Sequence, residues 1–332
     1  MTSRPLRIDC HVHVSAFTAG RGRMSPHVLR TLPFRFMRWR LGFTGADATT
    51  EEQVATRMAH AIAEARATDA GGAPVLDAAV VLAFDAVYTH DGRVDEANTH
   101  LHVENDYAAE LARRIPGALF GASVHPYRRD AVAELERCIA DGAVLLKWLP
   151  ITQGIDPTDR RCHALYEVLA HHGVPLLSHT GGERTLPNVS PGVASPLLLE
   201  PALARGVKVI AAHCGTRSAP SEQCHLADFV RMAHEHEHLY GDTAALCLPT
   251  RDYAFPTILD DPLVRARLVH GSDWPVVPLP NPQHVGWWRA LGFLGDRNWI
   301  RRDVRIKRAL GFGDDYWERA AGVLRLPAAR AA

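Results

Sequence analysis

The sequence predicts an α/β fold, a (β/α)8 TIM barrel with an insertion after strand 1. Three observations carry that prediction. Eight short runs rich in Val, Ile and Leu recur along the 332 residues, most of them apolar throughout, as strands buried on both faces of a parallel sheet are. Helix-patterned stretches lie between them, which is the rhythm of repeated strand–helix units. No Gly-x-Gly-x-x-Gly follows a strand and no Walker-type Gly-Lys-Ser/Thr is present, so the nucleotide-binding open sheets lose support.

The first strand is "LRIDCHVHV" (6–14). Side chains alternate along a strand, so His11 and His13 are expected on one face and Cys10, Val12 and Val14 on the other. Residues 15–50 form the insertion, basic and studded with Phe and Trp. Packing or subunit contact explains such a segment, and so does a lid, because loops after barrel strands surround the mouth. The second and third strands are "DAAVVLAF" (77–84) and "ALFGASVHP" (118–126), with "EANTHLHVENDYAAELARRI" between them predicted as helix. "RRDAVAELERCIADG" reads as the helix before the fourth strand, "AVLLKWLP" (143–150). "DRRCHALYEVLAHHG" precedes the fifth, "VPLLSHTG" (174–181). Both helices end on the Gly that a helix C-terminus favours. The last three strands are "VKVIAAHCG" (207–215), "HLYGDTAAL" (238–246) and "ARLVHGSDWP" (266–275). Residues 276–332 are read as a helical extension of one domain that spans 1–332.

Composition narrows the function classes. Thirty-seven basic residues balance 37 acidic ones, which argues against nucleic acid or an anionic membrane as the main partner. No apolar run approaches the ~20 residues of a membrane helix, and no signal peptide is expected, because a strand begins by about Leu6 with no apolar stretch before it. The six cysteines form no C-x-x-C pair, as expected of reduced thiols in a cytoplasmic protein. The expected partner is a small-molecule substrate, and the aromatic segments leave room for a homo-oligomer.

Polar residues with metal-binding chemistry fall at the C-terminal ends of the predicted strands. His11 and His13 close the first, Lys147 the fourth, His179 the fifth, His213 the sixth and Asp273 the eighth. Barrel enzymes keep their chemistry there. A single strand-end histidine is more often a hydrogen-bonded structural residue than a ligand; His-x-His with two further histidines and an aspartate in this order is a different matter. Neutral imidazoles and carboxylates suit Zn, Mn, Fe or Co. Asp85 and Asp242, ending the second and seventh strands, are candidates to orient ligand histidines. Arg128, after the third strand, and Arg217, after the sixth, could grip a substrate carboxylate; helix starts and surface positions are the plainer explanation. "HEHEH" (234–238) reads as a solvated helix end, and His171 and His172 as cations at a helix C-terminus.

The order "HVH", "K", "SH", "AH", "GSD" resembles the amidohydrolase superfamily of metal-dependent barrels. "HTGGE", "AAHCG" and "GSDWP" resemble its amidohydrolase-2 branch, which includes decarboxylases as well as hydrolases. The resemblance runs over roughly residues 6–280. It implies one or two divalent ions, with zinc foremost, held by His11, His13 and Asp273 and further by His179. It also implies that Asp273 accepts the proton of the attacking water. In two-metal members the strand-four lysine reacts with CO2 and bridges the ions, so Lys147 would become a ligand and His179 and His213 would hold the second metal. Otherwise Lys147 would pair with Glu183 or a substrate carboxylate, and His213 would be free for proton transfer. The expected activity is hydrolysis of a C–N or C–O bond of a small molecule, with anionic ones among the candidates. The alternatives are a single-metal decarboxylase and a metal-free barrel that binds a ligand without turnover.

Overall fold

The computed structural model describes residues 4–43, 45–67 and 75–326. The described residues form ten strands: β1 (Ile8–His13), β2 (Gly22–Met24), β3 (Ala78–Leu82), β4 (Leu101–Val103), β5 (Ala118–Ala122), β6 (Leu145–Trp148), β7 (Leu176–His179), β8 (Val209–Ala212), β9 (Leu239–Asp242) and β10 (Leu268–Val269). Eight of them form one parallel sheet in the order β1-β3-β5-β6-β7-β8-β9-β10. The chain after β10 closes it against β1: the Cys10 and His13 amides donate to the His270 and Trp274 carbonyls at 2.9 and 2.8 Å, and the Asp273 amide donates to His11 at 2.9 Å. The result is the (β/α)8 barrel that the strand–helix rhythm requires.

Two hydrophobic clusters follow from the closure. Ile8, Val80, Leu145, Leu177 and Ile210 belong to the smaller one, which fills the barrel interior and continues into Ala320 and Val323 of the helix Asp314–Val323 and Leu324 just after it. A larger one fills the layer between strands and helices. β1 departs from simple alternation. Its register against β3 shifts between Asp9 and Val12, and Cys10 packs with the smaller cluster while Val12 joins the larger. A bulge thus overturns the expected grouping of Cys10 with Val12 and Val14, because an extra residue resets which face the next side chain takes.

The helices predicted at 128–142 and 159–173 appear as Ala131–Ala140 and Cys162–His172. The helix expected over 96–115 is shorter, Asn105–Arg114. Leu101–Val103 instead pairs antiparallel with Gly22–Met24, so the insertion is stitched to the loop after β3. The insertion continues as two helices, Pro26–Arg30 and Leu32–Leu41. Its base is fixed by Glu51, fully buried in the first turn of the helix Ala48–Arg66. That carboxylate accepts the Phe17 amide at 2.7 Å and the Arg21 guanidinium at 3.0 Å. The extension after 276 supplies helices at Pro282–Val285, Trp287–Leu294, Trp299–Ala309 and Asp314–Val323. No helix among the described residues is long and apolar enough to cross a membrane.

Candidate metal centre

The site begins with one anchored imidazole. His11 Nδ1 lies 2.7 Å from Asp242 Oδ2, both side chains fully buried. A carboxylate at that distance takes the ring's N–H, which assigns the tautomer and leaves the Nε2 lone pair available. Asp242 also accepts the amides of His213 at 2.8 Å and Ala244 at 3.1 Å. One buried carboxylate therefore ties the ends of β1, β8 and β9 together. Burial works against its charge, but His11, His213 and these amides outweigh that and hold it below the usual carboxylate range.

His11 Nε2 has three close polar neighbours. His13 Nε2 is 3.0 Å away, Lys147 Nζ 3.2 Å and Asp273 Oδ1 3.4 Å. Asp273 Oδ1 is also 3.2 Å from His13 Nε2. One donor atom from each of His11, His13 and Asp273 falls within 4.8 Å of the others. Two imidazole nitrogens and a carboxylate oxygen at this spacing form a donor set that matches a first-row divalent ion. Burial, reinforced by Lys147, lowers the pKa of His11 and keeps its ring neutral, the form that ligates. The residues fit the metal the sequence implies.

His179 and His213 stand beside this group, their rings 4.8 Å apart, with His213 5.3 Å from His11. His213 Nδ1 reaches the Ala244 carbonyl at 2.8 Å, so its Nε2 is the free nitrogen. His179 Nε2 lies 3.2 Å from the Gly182 carbonyl, which leaves Nδ1 available. Burial, with Arg251 next, lowers His213 to about 3, and burial first of all lowers His179 as well, so both rings are neutral. Lys147 is completely buried and burial lowers its pKa, which favours the neutral amine.

Local backbone explains how these side chains converge. His213 and Asp273 have φ of 60° and 61°, a region non-glycine residues seldom adopt and one that clusters at functional sites. A Cβ on Gly271 would sit 2.9 Å from His11 Cβ, so "HGSD" needs its glycine for β1 to approach. A Cβ on Gly181 would lie 2.1 Å from the Thr216 carbonyl, which is why "HTGG" lets the loops after β7 and β8 touch.

Other residues singled out from sequence lie elsewhere or in other roles. Glu183 borders the site, its Oε2 4.0 Å from His179 Nδ1, and its Oε1 accepts the Leu186 amide at 3.0 Å. Its pKa is raised by burial. Lys147 has His11, not Glu183, as its hydrogen-bond neighbour. Arg128 closes on Asp85 at 3.2 Å and Asp130 at 2.9 Å. Asp85 therefore holds Arg128 and the His125 amide (2.8 Å) instead of a ligand histidine. Arg217 lies over the Tyr253 ring. His234 and His236 pair with Asp261 and Glu200. Arg251 is a residue the sequence reading passed over. It is buried, and it clamps the carbonyls of Gly182 (2.6 Å) and Thr216 (2.7 Å), fixing the loops after His179 and His213. Its position, past the end of β9, gave no motif to find it by.

Fold and site together define a (β/α)8 barrel with a metal-competent donor set at the C-terminal mouth of its strands. The model of the amidohydrolase family matches residues 8–300, and the chain belongs to that family, in its amidohydrolase-2 branch. No curated protein matches the chain at a significant level. Among solved structures, an uncharacterized TIM-barrel protein from Bordetella bronchiseptica is similar at a TM-score of 0.63 and 17% identity, covering 95% of each chain. A putative 2-pyrone-4,6-dicarboxylic acid hydrolase from Pseudomonas putida is similar at 0.53 and 16%, covering 93% of this chain and 99% of its own. An IDCase from Metarhizium anisopliae is similar at 0.53 and 14%, covering 96% and 97%. At these identities the likeness is one of fold.

Proposed function

We propose that this barrel is a metal-dependent hydrolase acting on a C–N or C–O bond of a small molecule. The observation that carries the reading is the meeting of His11 Nε2, His13 Nε2 and an Asp273 oxygen at the barrel mouth, with the buried Lys147 amine 3.2 Å from His11. These three residues would hold the ion, with His179 beside them. A divalent ion supplies Lewis acidity there, making water acidic enough to ionise near neutral pH and polarising a substrate carbonyl. Asp242 keeps His11 in its ligating tautomer. Asp273 would accept the proton of the attacking water and pass it to the leaving atom, while the free Nε2 lone pair of His213 would accept a hydrogen bond from that water. The neutral amine of Lys147 is the form that takes up CO2, which would add a second ion held by His179 and His213.

A second reading is favoured by a specific observation: His11, His13 and Asp273 make the only group of three such donors within reach of one another among the described residues. A single ion is the arrangement of a non-oxidative decarboxylase, in which a proton taken up from solvent on His213 Nε2 would pass to carbon as CO2 leaves. The family includes both reaction types. Metal analysis of the active protein, together with CO2 release from a carboxylate panel, separates them. Two metals per chain, with one lost in Lys147→Ala, is the result expected for the hydrolase. One metal in fully active protein with CO2 evolved promotes the lyase. Full metal occupancy in a folded His11→Ala/His13→Ala double variant overturns both.

A further inference from the structure

The cavity over the donor cluster is walled by carbon. Phe34 and Met37 come from the inserted helix, Phe84 from just past β3, Leu149 from beyond Lys147, Leu186 from the loop after β7 and Val276 from the loop after β10. The titratable groups on its wall are His13, His179, His213 and Asp273 of the cluster, and Glu183; no Lys or Arg lines it. Nearby cations are committed elsewhere: Arg128 to Asp85 and Asp130, and Arg251 to two backbone carbonyls. A carboxylate placed away from the cluster would lose its water and meet mostly hydrocarbon, the Ser15 and Thr185 hydroxyls and the Glu183 carboxyl, with no cation in compensation. The void is about 90 Å³. That is smaller than the ~150 Å³ that takes up benzene, so Phe34 and Met37 press close on any ring that enters.

We infer that the substrate carries one polar reactive group, seated at His11, His13 and Asp273, on an uncharged apolar body, and that Met37 and Phe34 enforce this choice. The inference rests on the reading of the cluster as the reaction centre. It sets this chain apart from any relative that acts on a dicarboxylic acid, as the name of the Pseudomonas putida hydrolase indicates for that protein. It departs from the expectation of an anionic substrate gripped by Arg128 or Arg217.

Two matched ligands test it by isothermal titration on the zinc-loaded full chain. Benzohydroxamic acid and 4-carboxybenzohydroxamic acid share a metal-binding head and differ only in a distal charge. The uncharged ligand should bind at least ~10-fold more tightly, the expected penalty for a carboxylate desolvated without a partner. Met37→Arg should shrink or reverse that ratio by supplying the missing cation. Equal or tighter binding of the carboxylated ligand overturns the inference. So does failure of benzohydroxamic acid to bind the zinc-loaded protein, or an unchanged ratio in a folded Met37→Arg variant. If the protein takes up no zinc, the metal-centre reading fails, and p-cresol against 4-hydroxybenzoate on the metal-free chain still decides the inference. Preference for p-cresol supports it and preference for 4-hydroxybenzoate overturns it.

Discussion

Asp242 is the residue on which the site's geometry turns. It touches no donor atom of the cluster, yet its two oxygens take the His11 ring N–H and the amides of His213 and Ala244. Asp242→Asn is close to isosteric but replaces a charged acceptor with a neutral amide, whose NH2 can face His11 Nδ1 and drive the ring to the other tautomer. Removing a partner of this kind costs ~10–100-fold in metal affinity. Chelator competition on the purified variant measures the loss; affinity within a factor of two of the parent would show that His11 is held by packing alone. Asp273 contributes at a different step. Asp273→Asn keeps one oxygen near His11 and His13 but removes the base, so turnover should fall at least ~100-fold while metal content declines less. Stopped assays with parallel elemental analysis separate the two effects.

At the scale of elements, the helix Trp299–Ala309 supports the site from behind. Lys307 and Asp303, one turn apart on it, form a pair with both side chains buried, and Lys307 also donates to the Gly271 carbonyl at 2.8 Å. That carbonyl belongs to the "HGSD" turn whose glycine admits His11. Breaking a buried pair from one side leaves an unpartnered charge, so Lys307→Met should destabilise the barrel by ~3–5 kcal/mol. The double variant Asp303→Leu/Lys307→Met removes both charges and should recover most of the loss. Urea unfolding of the three proteins checks this, and equal midpoints for the single and double variants would refute the pairing argument. The inserted helix Leu32–Leu41 makes its contribution at the opposite end. Phe34 and Met37 line the cavity while Leu32 and Trp39 on the same helix are exposed, at 77% and 70%.

For the whole molecule, closure of the sheet makes its buried histidines titrate together with folding. His125 illustrates the sign. Its ring is buried, Nε2 donates to the Gln153 carbonyl at 2.9 Å and Nδ1 accepts the Tyr127 amide at 3.1 Å. Burial lowers it from 6.5 to about 4. Between those values the unfolded chain holds a proton that the folded chain does not. Stability is therefore whole above about pH 6.5 and falls as pH drops toward 4, by at most ~3 kcal/mol from this group. Denaturant midpoints from pH 7.5 to 4.5 should decline, and His125→Gln should decline less steeply. Parallel slopes would mean that other groups carry the acid sensitivity.

The strand count, the strand–helix rhythm and the strand-end positions of His11, His13, Lys147, His179, His213 and Asp273 were all legible in the amino-acid order. Hydrophobic period and residue chemistry are local properties, and parallel barrel strands present their C-terminal ends to one mouth. The sequence also carried the resemblance that the match over residues 8–300 established. Tertiary structure alone decided the bulge that moves Cys10 to the inner cluster, the pairing of Leu101–Val103 with the insertion, and the commitment of Arg128 to Asp85. It alone showed Arg251 clamping two loops and an apolar wall without a cation. Each of these depends on which distant segments meet. A side chain's partner, unlike its chemistry, is set by chain closure across tens to hundreds of residues, and no local period encodes it.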